Sequence, residues 1–115
     1  MSTIIWHNPR CSKSREALQL LEDNGVDARV YKYLDEKPSV EEIKGMLEAL
    51  GIGAKELLRK KEAIYKELGL SKVDDEDVLI EAMHKHPKLI ERPIVIKDSK
   101  AIIGRPPSLV LELIH

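Results

Sequence analysis

The chain has 115 residues, a formal net charge of −1 and 34% charged residues, which leaves room for one compact domain and shows no basic excess that would argue for a nucleic-acid or membrane partner. Aromatic residues are 3% and Phe is absent, so the core must come from Leu, Ile, Val, Ala and Met, and base stacking on an aromatic platform is not expected. The single cysteine excludes an internal disulfide.

The short apolar run Thr3-Ile4-Ile5-Trp6 has the β-branched character of a buried strand. It ends without a basic lead-in, and no stretch approaches transmembrane length, so neither a secretory leader nor a membrane span is expected. The reducing cytoplasm is the expected location. Next comes His7-Asn8-Pro9-Arg10-Cys11-Ser12-Lys13-Ser14-Arg15, which leads into a helical pattern ending at Asn24-Gly25, with Ala17, Leu18, Leu20 and Leu21 on one face. The cysteine therefore sits in a strand-to-helix loop, where unpaired N–H groups and the helix dipole favour a negative sulfur. Arg10, Lys13 and Arg15 add cationic side chains and Ser12 and Ser14 add hydroxyl donors, all of which favour the thiolate. Cys11 reads as a nucleophile. An inert core cysteine would need none of these neighbours.

Val26 to Leu34 alternates as a second strand and stops at Asp35-Glu36-Lys37-Pro38. Its link to the first strand through a helix predicts a parallel pair with a right-handed crossover. The middle is helical. Ser39 and Glu42 form a capping box for a helix that runs to Gly51, followed by helices over Ala54 to Arg59, Lys60 to Leu68 and Asp75 to Lys85. Strand character returns in Ile94 to Lys97 and Ala101 to Gly104, joined by the turn Asp98-Ser99-Lys100. Pro106-Pro107-Ser108 then opens a last helix to Ile114. The order β-α-β, helical insert, β-β-α matches a thioredoxin-like α/β architecture. It predicts one domain over residues 1–115, with a small mixed four-stranded sheet flanked by helices and a helical insertion over about 39–87 between the second and third strands.

Four segments, in order and at compatible spacing, carry a resemblance that covers nearly the whole chain. They are the loop His7 to Arg15, Glu56-Leu57-Leu58-Arg59-Lys60-Lys61, Glu91-Arg92-Pro93-Ile94-Val95 and Gly104-Arg105-Pro106-Pro107. The chain resembles the glutaredoxin-coupled arsenate reductases of thioredoxin-like fold. The resemblance implies that Cys11 attacks arsenate, that Arg59, Arg92 and Arg105 hold the oxyanion, and that glutathione as co-substrate and glutaredoxin complete the reduction. Guanidinium forks suit this task because their paired donors match the edges of a tetrahedral oxyanion. His7 is implied as a neighbour that stabilises the thiolate, although a histidine at a strand end also serves as a structural hydrogen bonder. Pro93 occupies the slot where thioredoxin-like folds place a cis proline beside the reactive thiol, which would turn the Arg92 backbone toward Cys11.

No metal is expected, because one cysteine without a placed carboxylate lacks ligand spacing, and His84, His86 and His115 look uninvolved. The expected protein is a monomer without a bound cofactor. Two alternatives belong to other classes. One is a monothiol glutaredoxin-like thiol-disulfide oxidoreductase or glutathione-binding protein, since Cys11 and Ser14 form a CxxS motif. Three oxyanion arginines would have no purpose there. The other is a non-catalytic regulatory member of the family that senses oxidation through a cysteine pair, for which this chain lacks the second cysteine.

Overall fold

The computed structural model describes residues 3–114, so His115 lies outside the described residues. The chain divides into two compact units, residues 1–36 with 92–115 and residues 37–91. The protein is α/β, with its strands in the first unit and the helical insertion forming the second.

In the first unit, β1 (Thr3–Trp6), β2 (Arg29–Tyr31), β3 (Ile94–Lys97) and β4 (Lys100–Ile103) make a four-stranded sheet in the order β2-β1-β3-β4. β1 runs parallel to β2, with Ile5 opposite Val30, and antiparallel to β3, with Ile5 opposite Val95. β3 and β4 are also antiparallel. This is the thioredoxin-like arrangement that the element order predicts. Its core is Ile5, Ala17, Leu21, Val95 and Val110, all fully buried, so the sheet is covered by α1 (Ser12–Asp23) and by the 3-10 turn Pro107–Val110. Burial of each Ile, Leu or Val side chain among them contributes about 1.5–3 kcal/mol. Trp6 stacks on Tyr33 with ring centroids 6.3 Å apart, which fixes the end of β1 from which the cysteine loop departs.

Four local readings change in this unit. α1 starts at Ser12 with Cys11 as its N-cap, two residues before Ser14, where its pattern places the start, because Ser14 is the only buried residue of the first turn. β2 is confined to Arg29–Tyr31, and Tyr33–Glu36 form a helical turn, α2, in which the N–H groups of Asp35 and Glu36 both donate to the Lys32 carbonyl. The hairpin turn is tighter than expected: Lys97 pairs with Lys100, and Asp98 takes a left-handed φ of 58°. The last helix is a 3-10 turn followed by α7 (Leu111–Ile114).

The second unit holds α3 (Val40–Leu50), α4 (Ala54–Leu57), α5 (Ala63–Glu67) and α6 (Glu76–Lys85). The Ser39 capping box forms as predicted: Glu42 N–H donates to Ser39 Oγ at 3.1 Å and Ser39 N–H to Glu42 Oε1 at 3.0 Å. Ile43, Met46, Leu47, Leu57, Leu79, Ile80 and Met83 supply the buried faces. α4 is docked by the Glu76 carboxylate, which accepts the Ala54 N–H at 2.7 Å. Here a correction concerns Arg59. It is not helical, because α4 stops at Leu57, Leu58 bridges Ile90, and the Arg59 N–H donates to the Leu89 carbonyl at 2.7 Å. That extended pairing also delays α5, so Lys60 and Lys61 lie in a turn. Among the described residues, no helix is long and apolar enough to cross a membrane.

Candidate active site

The loop after β1 is built around Asn8. Its Oδ1 accepts the Arg10 N–H at 3.0 Å, its carbonyl accepts the Cys11 N–H at 3.0 Å, and its own N–H donates to Ser14 Oγ at 3.1 Å. The chain thereby folds back so that Cys11 takes the N-cap position of α1, extended at φ −95° and ψ 121°. Its sulfur faces the N–H groups of Lys13 and Ser14 without forming a capping hydrogen bond of normal geometry. Cys11 is partly exposed, as a nucleophile must be.

Arg92 and Pro93 enter from the segment before β3. The Arg92–Pro93 peptide is cis, as expected, and so is Arg105–Pro106. Burial pushes the Cys11 thiol up. The Ser14 N–H, the hydrogen bond and charge of the Arg92 guanidinium, and the Lys13 N–H outweigh it and hold the pKa below the ordinary thiol range. Arg105 follows β4, and its Nη1 donates to the Arg92 carbonyl at 2.9 Å. Gly104 makes that approach possible. A Cβ there would lie 3.0 Å from Pro93 Cγ and 3.0 Å from Val110 Cγ1, and the Gly104 N–H donates to the Pro93 carbonyl at 2.8 Å. Cys11, Arg92 and Arg105 therefore come together within the sheet unit.

The other expected site residues are placed differently. The Ser14 hydroxyl does not serve the sulfur: it is fully buried and shared between the Asn8 N–H and His7 Nδ1, the latter at 2.7 Å. What Ser14 offers the thiolate is its backbone N–H. His7 reaches the loop through Ser14. Burial first, then the charges of Lys32 and Arg15, hold its pKa below the ordinary imidazole range, so it is neutral at pH 7 and supplies no cation. The loop's own basic residues Arg10, Lys13 and Arg15 are exposed, and Arg15 Nη1 donates to the Pro9 carbonyl at 3.0 Å. The cation at the sulfur is Arg92. In the helical unit, Arg59 pairs with two carboxylates, Glu91 Oε1 at 2.5 Å from Nη1 and Glu62 Oε1 at 3.6 Å from Nε. Among the described residues, no three His, Cys, Asp or Glu side chains come together to form a metal site.

A family model described as "ArsC family" matches residues 6–113 of this chain. The chain belongs to the ArsC family. Two relatives named arsenate reductase bear it out. One, from Neisseria meningitidis, is 51% identical over 104 residues, covering 89% of each chain. The other, from Haemophilus influenzae, is 47% identical over 116 residues, covering 99% of this chain and 100% of its own. The solved structure of an arsenate reductase from Vibrio cholerae superposes with a TM-score of 0.94 at 52% identity, covering 97% of each chain. The fold of this ArsC-family member is thus that of arsenate reductases with a thioredoxin-like sheet.

Sequence reasoning passed over Asn8 and Gly104 as site-building residues. The signals were there. An Asn before Pro in a loop marks a turn whose side chain bonds its own backbone. A Gly between a strand and an Arg-Pro pair marks a close approach of backbone.

Proposed function

We propose that this protein is an arsenate reductase in which Cys11 is the nucleophile and external thiols supply the electrons. The observation that carries the reading is the Arg92 guanidinium on the sulfur of an N-cap cysteine. One cation both stabilises the thiolate and offers paired donors to an approaching oxyanion. Arg105, joined to the Arg92 carbonyl, is the second oxyanion ligand. Arg59 is the third on the strength of the family resemblance, and Pro93 holds the turn that carries Arg92.

The Cys11 thiolate displaces one arsenate oxygen, which leaves as water after protonation, and an S–As(V) bond forms. A glutathione thiolate then attacks Cys11 Sγ, and the S–As bond breaks with its electron pair going to arsenic. Arsenite leaves and Cys11 is left disulfide-bonded to glutathione. Glutaredoxin exchanges that disulfide and returns the free thiolate. With a single cysteine, the chain cannot instead finish with an internal disulfide. Glutathione is consumed as a co-substrate, no cofactor is bound, and the reaction belongs to a monomer in the reducing cytoplasm.

The test is an arsenate reduction assay with each donor withheld in turn. Sustained arsenite production should require both glutathione and glutaredoxin, and Cys11→Ser should abolish it under all donors. Multiple turnovers with thioredoxin and its reductase alone would contradict the donor assignment, and no arsenite under any donor would contradict the substrate.

A further inference from the structure

Within the sheet unit, beside the cysteine loop, lies a cleft of about 390 Å³ bounded on one side by residues 7–10 and on the other by Lys32, Leu34 and Asp35. Its existence follows from topology. β1 and β2 are parallel neighbours, so the loops that leave them emerge at the same end of the sheet. The His7 N–H ties the two loop starts together by donating to the Tyr31 carbonyl at 2.9 Å. Cys11 directly follows the wall formed by residues 7–10 and is tied back to it by its N–H, which donates to the Asn8 carbonyl at 3.0 Å.

The charges around the cleft form a pattern. Arg10 and Lys32 are exposed cations on opposite walls, and Asp35 is an exposed carboxylate on the turn that starts at Lys32, its N–H donating to the Lys32 carbonyl at 3.0 Å. Pro9 and Leu34 add apolar surface between them. Lys32 is close enough for its charge to depress the His7 imidazole, after burial has done so. Two cations and one anion at the rim suit a small ligand with two carboxylates and one ammonium.

We propose that this cleft docks the small thiol co-substrate, a thiol peptide whose carboxylates meet Arg10 and Lys32, whose ammonium meets Asp35, and whose sulfur is left facing Cys11. The inference rests on the thiol-dependent reading above and gives that thiol a site of its own, away from Arg92 and Arg105. Glutathione carries this charge pattern, whereas mercaptoethanol carries none of it.

The test uses the full chain with Cys11 converted to its thiopyridyl mixed disulfide. A thiolate that attacks Cys11 Sγ expels thiopyridone, whose absorbance reports the rate, and each rate is divided by that of the same thiol with a small pyridyl disulfide in solution, so that differences in thiol pKa and intrinsic nucleophilicity drop out. Glutathione should react faster than mercaptoethanol, and its advantage should fall with added salt. Lys32→Ala should cut the glutathione rate about fivefold, the scale of one exposed ion pair. Lys32→Arg should restore it, and neither change should move the mercaptoethanol rate. Equal rates for the two thiols, or an equal loss for both in Lys32→Ala, would overturn the proposal. No arsenate enters this assay. A glutathione preference here with no arsenate turnover would overturn the substrate assignment alone, and arsenate turnover with no preference here would overturn the cleft alone.

Discussion

Burial alone would hold the Cys11 thiol protonated; two backbone N–H groups and one guanidinium reverse that balance. Because the thiolate is the reactive form, the rate of Cys11 alkylation should rise with pH to a plateau, with its midpoint below the free value of about 8.5. Arg92→Ala removes both a hydrogen bond and a charge, so the midpoint should move up and the rate at pH 7 should fall. An unchanged midpoint would remove Arg92 from the account. His7 sets a second pH dependence. Its folded pKa is lowered, so below the ordinary imidazole value the unfolded chain binds more protons than the folded one. Stability should therefore be full above that value and be lost as pH falls through the folded pKa, and urea unfolding of His7→Asn should show a flatter profile across the same window. Ser14→Ala strands the buried Asn8 N–H and the His7 ring nitrogen, and should cost about 1–3 kcal/mol of stability in the same measurement. Its thiolate midpoint should stay near that of the parent, since the group facing the sulfur is a backbone N–H that alanine retains.

Elements place these residues more than the residues place themselves. β3 and β4 deliver Arg92 and Arg105 to the same end of the sheet, and the close packing of Gly104 against Pro93 and Val110 joins the two. Gly104→Ala must push one of those side chains aside, and should cost about 1–3 kcal/mol and lower the activity of the site through Arg105. Thermal unfolding together with arsenate turnover checks both effects. This level of the fold was largely legible. The strand of β-branched residues before Cys11, the Ser39 to Glu42 capping box and the Asn24-Gly25 stop each have a local cause and appear where they were expected. What was not legible depends on partners distant in sequence. Tyr33 is buried as a core-facing strand residue would be, so the apolar pattern alone could not reveal that the backbone already turns at Lys32. Arg59 reads as helical in the sequence because nothing near it announces its bond to the Leu89 carbonyl or the bridge of Leu58 to Ile90. Arg92 could be placed near the thiol from the resemblance, but its dominance over Arg10, Lys13 and Arg15 follows only from the direction in which each side chain runs.

At the scale of the whole chain, two of the three arginines implied by the resemblance share the sheet unit with Cys11, and the third lies in the helical unit, paired with Glu62 and Glu91. If Arg59 binds the oxyanion, Arg59→Ala should raise the KM for arsenate and leave the Cys11 alkylation midpoint unchanged. That result would separate substrate binding from thiolate activation. The central claim is that electrons pass from an external thiol through Cys11 Sγ to arsenic, and mass spectrometry of the chain without glutaredoxin tests it most directly. Incubated with arsenate and glutathione together, the protein should gain one glutathionyl group, on the Cys11 peptide, as one arsenite is released per chain, and neither reagent alone should produce it. Arsenite formed while Cys11 stays unmodified, or an adduct that accumulates equally without arsenate, would contradict the account.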